Sequence, residues 1–144
     1  MLAIASDHGG FALKQEIKAY MDELKIEHKD FGCFDTESCD YPDLGVLAAK
    51  AVANGTCERG ILICGTGAGM CYTANKIKGI RCVLCSEPYT AEMSRRHNDA
   101  NMLALGGRVV GADLAKMIVR IWLETPFEGG RHQRRIDKIA ALES

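Results

Sequence analysis

Residues 60–70, Gly-Ile-Leu-Ile-Cys-Gly-Thr-Gly-Ala-Gly-Met, constrain the fold of this chain more than any other segment. Ile61, Leu62 and Ile63 form an unbroken apolar run, which suits a strand buried on both faces. Gly65, Gly67 and Gly69 follow at alternate positions and let the backbone turn without side-chain clashes. The residues after Gly69 read as a helix. A strand that exits through such a loop into a helix aims backbone N–H groups at one spot, beside the positive end of the helix dipole. Cys64 stands at that spot, a base or nucleophile beside an anion cradle.

The rest of the chain repeats the alternation. Apolar runs at 2–6, 26–31, 80–85 and 102–105 read as four further strands. Helical patterns lie between them. One carries Leu13, Ile17, Tyr20, Met21 and Leu24 on a single stripe, and another carries Leu114, Met117, Ile118, Ile121 and Trp122. Pro42 and Pro88 suit the first turns of two more helices, the first running to about residue 53 and the second to about residue 97. After the breaker at 125–130 comes a last, basic helix.

Strands alternating with helices at these lengths predict an α/β fold, Rossmann-like, with three α/β/α layers around a five-stranded parallel sheet and an extra C-terminal helix. Right-handed crossovers bring the ends of all strands to one edge, so Asp7-His8 and the Cys64 loop are expected to converge there. The 144 residues predict a single domain spanning 1–144.

Composition excludes some classes. With 18 basic and 19 acidic residues, the net charge of −1 offers no case for nucleic acid or an anionic membrane. No signal peptide is read at the N-terminus, and no apolar stretch is long enough to span a bilayer. Seven cysteines, an odd number on a chain of this size, suggest free thiols and a cytoplasmic setting. Cys82 and Cys85 form the one Cys-x-x-Cys pair, on a strand where i and i+3 face opposite ways, which argues against a metal site there.

The glycine loop fits none of the common phosphate loops. A Walker loop needs Gly-Lys-Ser/Thr where this chain has Gly69-Met70-Cys71. The dinucleotide fingerprint needs a sixth-position glycine where Met70 stands. A phosphatase loop needs an arginine at that same place.

Seven segments in order resemble another family. They are Ser6-Asp7-His8-Gly9-Gly10, Asp40-Tyr41-Pro42-Asp43, the 60–69 loop, Ala74-Asn75-Lys76, the 95–101 run Arg-Arg-His-Asn-Asp-Ala-Asn, Gly107-Arg108-Val-Val-Gly111 and Gly129-Gly130-Arg131-His132. Together the chain resembles the ribose-5-phosphate isomerase B family, which includes galactose-6-phosphate and allose-6-phosphate isomerases. The resemblance implies interconversion of a phosphorylated aldose and ketose without metal or cofactor. On this sequence it makes Cys64 the base between C2 and C1, and His97 the acid that opens the furanose ring. Asp7, His8, Gly65, Gly67, Ala68, Gly69 and Asn98 would hold the sugar, and Arg108, Arg131 and Arg135 the phosphate. One branch of the family is thought to use a glutamate at the place of Met70. This chain reads as the cysteine type, and Cys71-Tyr72 departs from the small residues more usual there.

The chemistry fits these residue types. Proton transfer alpha to a carbonyl needs a base and donors for the enediolate oxygen, which Cys64, the loop N–H groups and the Thr66 hydroxyl can supply. Arg131 and Arg135, four apart on a helix, share a face and can fork one phosphate. Ile136 and Ile139 are expected to turn into the core. His97 ends a helix that runs back from the sheet's active edge, and Arg131 follows a second returning helix. Both are expected opposite Cys64 within one chain, which predicts a homo-oligomer, dimer or tetramer, with sites at the subunit interface. Arg108 directly follows a strand and can lie on the Cys64 edge. Two other classes compete: a sugar-phosphate-binding module without catalysis, which needs neither Cys64 nor His97, and a thiol redox protein, which lacks a resolving cysteine two residues beyond Cys64.

Overall fold

Strands β1 (Leu2–Ser6) and β3 (Arg59–Cys64) run side by side in the middle of a parallel sheet, with Ile4 opposite Ile61. The computed structural model describes residues 1–143. Strands β2 (His28–Asp30), β4 (Cys82–Leu84) and β5 (Met102–Gly106) complete five strands in the order β2-β1-β3-β5-β4. Six α-helices connect and flank them: α1 (Phe11–Glu23), α2 (Tyr41–Ala53), α3 (Ala68–Asn75), α4 (Pro88–Asn98), α5 (Ala112–Glu124) and α6 (Arg131–Ala140).

The two faces of the sheet differ in side-chain size. One face sets Ile4, Ile61, Ile63, Leu103 and Leu105 against α1, α4 and α5, where Trp122 is the largest fully buried side chain. The other sets Ala3, Ala5, Leu62, Cys64 and Ala104 against Ala48, Ala49 and Ala51 of α2 and Met70 and Ala74 of α3. Each fully buried Ile or Leu contributes about 1.5–3 kcal/mol by leaving water. The alanines on the second face contribute less and let the α2 backbone approach closely. Cys64 points into this small-residue layer, beneath α3.

Strand order decides where a ligand can enter. The connection from β1 departs toward β2 on one side of the sheet, and that from β3 departs toward β4 on the other. Between them, at the carboxyl ends of β1 and β3, the loops splay apart at a topological switch point. Residues 7–10 and 65–67 lie at this crevice.

Four expectations need correction. The edge strands are shorter than 26–31 and 80–85, because each has a partner on one side only. On α5 the buried residues are Ala115, Ile118, Val119 and Trp122, while Leu114 and Met117 are exposed at 37% and 53%. The helix rests on α1 and α4 through the former face, so the expected stripe was rotated toward solvent by about one position. Likewise Leu24 lies exposed just past the end of α1, whose buried face includes Lys14 instead, and of Ile136 and Ile139 only the former turns inward, Ile139 being 48% exposed.

Candidate active site

The Cys64 thiol ends β3 almost fully buried, and its sulfur accepts the Gly67 N–H at 3.1 Å. That contact depends on a left-handed residue. Gly67 has φ 86°, and a Cβ there would come within 2.9 Å of the Leu105 backbone. A donor aimed at the sulfur would favour a negative charge there. The Thr66 hydroxyl accepts the Ala68 N–H at 3.2 Å and keeps its own proton free to donate. The expected cradle is therefore narrower than the sequence implied, because the N–H groups of Gly67 and Ala68 are engaged within the loop. Those of Gly69 and Met70, in the first turn of α3, are left without an intrahelical acceptor. Tyr41 covers this turn so closely that a Cβ on Gly69 would fall 2.1 Å from its ring.

Asp7 stands across the crevice at the end of β1. Its carboxylate caps a 3-10 turn (His8–Gly10) by accepting the Gly10 N–H at 3.0 Å. His8 Nδ1 accepts the Cys39 N–H at 3.2 Å, which makes Nδ1 the acceptor nitrogen and leaves Nε2 as the donor. Desolvation pushes the Cys39 thiol up, with the His8 contact pulling the other way. An open cleft of about 390 Å³ beside Asp7 is lined by Cys39, Asp40, Tyr41, Pro42 and Asp43. Arg108 arches over the same place. Its N–H donates to the Gly65 carbonyl at 3.0 Å, and its guanidinium lies so near Gly65 that a Cβ there would be 3.3 Å from Nη1. Arg108 thus belongs to the Cys64 edge of its own chain.

The other expected residues lie at the opposite edge. Asn98 ends α4, and its carbonyl accepts the Nε–H of Arg81, the residue just before β4. His97 stacks on His132 of α6, ring centroids 4.4 Å apart and planes 13° from parallel. Arg131 and Arg135 lie exposed on α6 beside them. Among the described residues, neither these two arginines nor Arg108 has a carboxylate within ion-pair distance, so their charge is open to an anion. One chain therefore gathers Asp7, His8, the 65–69 loop, Cys64, Thr66 and Arg108, and separately gathers His97, Asn98, Arg131 and Arg135.

Residues 2–139 match the ribose/galactose isomerase family. The chain belongs to that family. It is similar to the ribose-5-phosphate isomerase B of Escherichia coli (strain K12), 54% identical over 142 residues covering 99% of this chain and 95% of that protein. The solved structure of Clostridium thermocellum ribose-5-phosphate isomerase B superposes with TM-score 0.97 at 54% identity, covering 99% of this chain and 96% of that one. The ribose-5-phosphate isomerase B of Mycoplasma genitalium, solved with bound ribulose-5-phosphate, gives TM-score 0.95 at 42% identity over 99% of this chain and 95% of that one.

Several members of this isomerase fold's neighbourhood escaped the sequence reading. His132 lies 35 positions from His97 in the chain, so no local spacing could pair them. Arg95, quoted only as part of the 95–101 run, is buried, bonded to Asp99 at 2.7 Å and to the carbonyls of Ala100 and Thr125 at 2.8 and 3.3 Å. It anchors the end of α4 that presents His97. Cys82 and Cys85 do face opposite ways, one in each core layer.

Proposed function

We propose that this chain interconverts ribose 5-phosphate and ribulose 5-phosphate in a site assembled from two subunits. The observation that carries the reading is the Cys64 sulfur at the β1/β3 switch point, with the Gly67 N–H on it, in a member of the ribose/galactose isomerase family. Names of full-length relatives support the substrate.

In the forward direction His97 donates a proton to the ring oxygen as the C1–O bond breaks, and the 1-hydroxyl loses its proton to give the aldehyde. The Cys64 thiolate then removes the C2 proton. Negative charge develops on the carbonyl oxygen, where the Gly69 and Met70 N–H groups and the Thr66 hydroxyl can donate. The Cys64 thiol returns its proton to C1, and the 2-hydroxyl proton moves to O1, leaving the ketose. No redox partner is consumed. Asp7 and His8 Nε2 hold sugar hydroxyls, together with Gly65 and Asn98, while Gly67 and Ala68, whose N–H groups are engaged within the loop, shape the wall beside them. Arg131 and Arg135 grip the phosphate from the neighbouring subunit, and Arg108 reaches it from the Cys64 side. Because Cys64 and His97 sit at opposite edges of one chain, the working unit is a homodimer or larger homo-oligomer with paired sites at its interface. Free thiols at Cys64 suit a reducing cytoplasm, and no helix of the described residues is long and apolar enough to cross a membrane.

Incubation with ribose 5-phosphate, read by ketose formation, tests the reaction. Cys64→Ala is expected to keep the fold and lose at least ~100-fold in kcat, the loss of a positioned acid–base group. Unchanged turnover in that variant would exclude the thiol as the base. A panel with allose and galactose 6-phosphates separates pentose from hexose preference. Turnover confined to a hexose phosphate would replace the substrate but not the mechanism.

A further inference from the structure

The Cys71 and Cys82 side chains lie together at the small-residue layer, and the isomerisation uses neither thiol. We propose that the two thiols are a reversible disulfide site, formed by exchange with a small-molecule disulfide of the glutathione type, and that the bond slows the enzyme by pulling on the first turn of α3. The disulfide stands on the contacts of the two cysteines, and the slowing rests on the role given above to that turn.

Helix α3 and the edge strand β4 hold the pair in register. The Cys71 thiol, on α3, donates to the Cys82 carbonyl on β4 at 3.5 Å. Asn75 stands one helical turn further on the same face. Its Nδ2 donates to that carbonyl at 3.0 Å and to Cys71 Sγ at 3.5 Å, and its Oδ1 accepts the Cys82 N–H at 2.8 Å. The two thiols also contact each other, and that contact is the largest cause drawing Cys71 down to about 7 and pushing Cys82 up. Cys85 belongs to the opposite core layer and does not compete for Cys71.

Exposure assigns the two roles. Cys71 is half-buried and acidic enough to attack near neutral pH, where a thiol exchanges with disulfides best. Cys82 is buried, but it lines an open cleft of about 470 Å³ with Asn75, Ile80 and Val83. The Cys71 thiolate attacks one sulfur of the small disulfide, whose S–S bond breaks. One glutathione leaves and takes up the proton Cys71 had shed, and a mixed disulfide remains on Cys71. Cys82 then loses its proton and attacks the Cys71 sulfur, and the second glutathione leaves with that proton. Two electrons pass from the two cysteines to one small disulfide, and nothing else is consumed.

The bond must move α3. Bonded sulfurs stand about 2.05 Å apart, closer than any thiol contact, so Cys71 is drawn toward β4. Its backbone N–H donates to the Gly67 carbonyl at 3.0 Å, and the Gly67 N–H is the donor on the Cys64 sulfur. Gly69 and Met70, whose N–H groups face the enediolate oxygen, lie between the two.

Peptide mapping reads the site directly. The reduced full chain is equilibrated with glutathione disulfide, quenched in acid with N-ethylmaleimide, digested with trypsin without reduction and mapped by mass spectrometry. Peptides 60–76 and 82–95 are expected joined, with fragmentation placing the bond between Cys71 and Cys82, and dithiothreitol should part them. Cys71→Ser and Cys82→Ser should each abolish the bond. No joined peptides, a bond that falls on Cys64 or Cys85, or one that persists in either variant overturns the proposal. In parallel, oxidation should lower kcat of the wild type at least ~10-fold, within the ~100-fold that a displacement of about 1 Å can cost. Dithiothreitol should restore it, and Cys71→Ser should keep its turnover in the same oxidant. A wild type that is joined yet fully active, or a Cys71→Ser chain silenced equally, overturns the slowing. Absence of turnover in the fully reduced chain counts against the isomerase reading, and the peptide map still decides the disulfide.

Discussion

Lys14 is fully buried, yet every contact around it accounts for its charge. Its Nζ donates to Asp30 Oδ1 at 2.9 Å and to the Cys33 carbonyl, and it lies 5.4 Å from the ring centres of Phe11 and Phe34. Through Cys33 it steadies the 33–40 segment that carries the Cys39 N–H to His8. Burial pushes the Asp30 carboxyl up, but Lys14, the Gly32 N–H and Lys18 outweigh it and hold the group below the usual carboxylate range. A carboxyl lowered in the folded state contributes stability above its unfolded value of about 3.9, lost as pH falls through the lower folded value. Thermal melts of the wild type should therefore lose a component of stability on acidification below about pH 4. Asp30→Asn should lower stability at neutral pH by about 3–5 kcal/mol, because Lys14 is left buried without its counter-ion, and should show a flatter acid limb. Matching acid limbs would remove Asp30 from the account. The thiols make a second residue-scale case. The Cys71 thiol is drawn down to about 7, first by its contact with Cys82 and then by the Asn75 amide, against its own desolvation. Desolvation drives Cys85 up to about 12. Brief iodoacetamide treatment near neutral pH, mapped by mass spectrometry, should label Cys71 well before Cys85 or the buried Cys82. The reverse order would contradict this assignment.

At the scale of elements, the turn between β3 and α3 holds the site through one left-handed residue. Gly67 and Gly79 have nearly equal φ, 86° and 89°, but a Cβ on Gly79 meets nothing within 4 Å while one on Gly67 meets the Leu105 backbone. Gly79→Ala should thus cost only the backbone term of about 1–2 kcal/mol. Gly67→Ala should cost clearly more and should also reduce isomerisation, since the Gly67 N–H on the Cys64 sulfur moves with the turn. Chemical denaturation of the two variants makes the comparison, and equal losses would detach the turn from the thiol. The same element explains what could be read in advance. The strand at 61–63 was legible because a strand buried on both faces is uniformly apolar, and its exit because glycines stand where side chains would clash. The edges were not, since an edge strand has half the pairing and its ends are set by its neighbour. Nor was the buried face of α5, where Ala115 and Val119 fit against α1 and α4 better than the larger Leu114 and Met117. Near the crevice, the placement of Cys64, Asp7 and His8 at the strand ends was legible through the crossovers and the turns they occupy. The stacking of His132 on His97 and the anchoring by Arg95 were not, because both arise where distant segments pack.

For the whole molecule, the parallel sheet divides the chemistry. Strand ends carry Cys64, Thr66, Asp7 and Arg108, and returning helices carry His97, Asn98, Arg131 and Arg135 to the other edge. On the proposed reading, a monomer of this fold holds two half-sites, and a two-fold dimer that brings unlike edges together would hold two complete ones. Mixed oligomers test this most directly. Cys64→Ala and His97→Asn chains, each inactive on ring-form ribose 5-phosphate, are co-expressed in equal amounts and assayed together. Random pairing makes half the dimers mixed, each with one intact site of two, so about a quarter of wild-type activity is expected to return. Mixed oligomers that form and remain inactive would contradict the shared site.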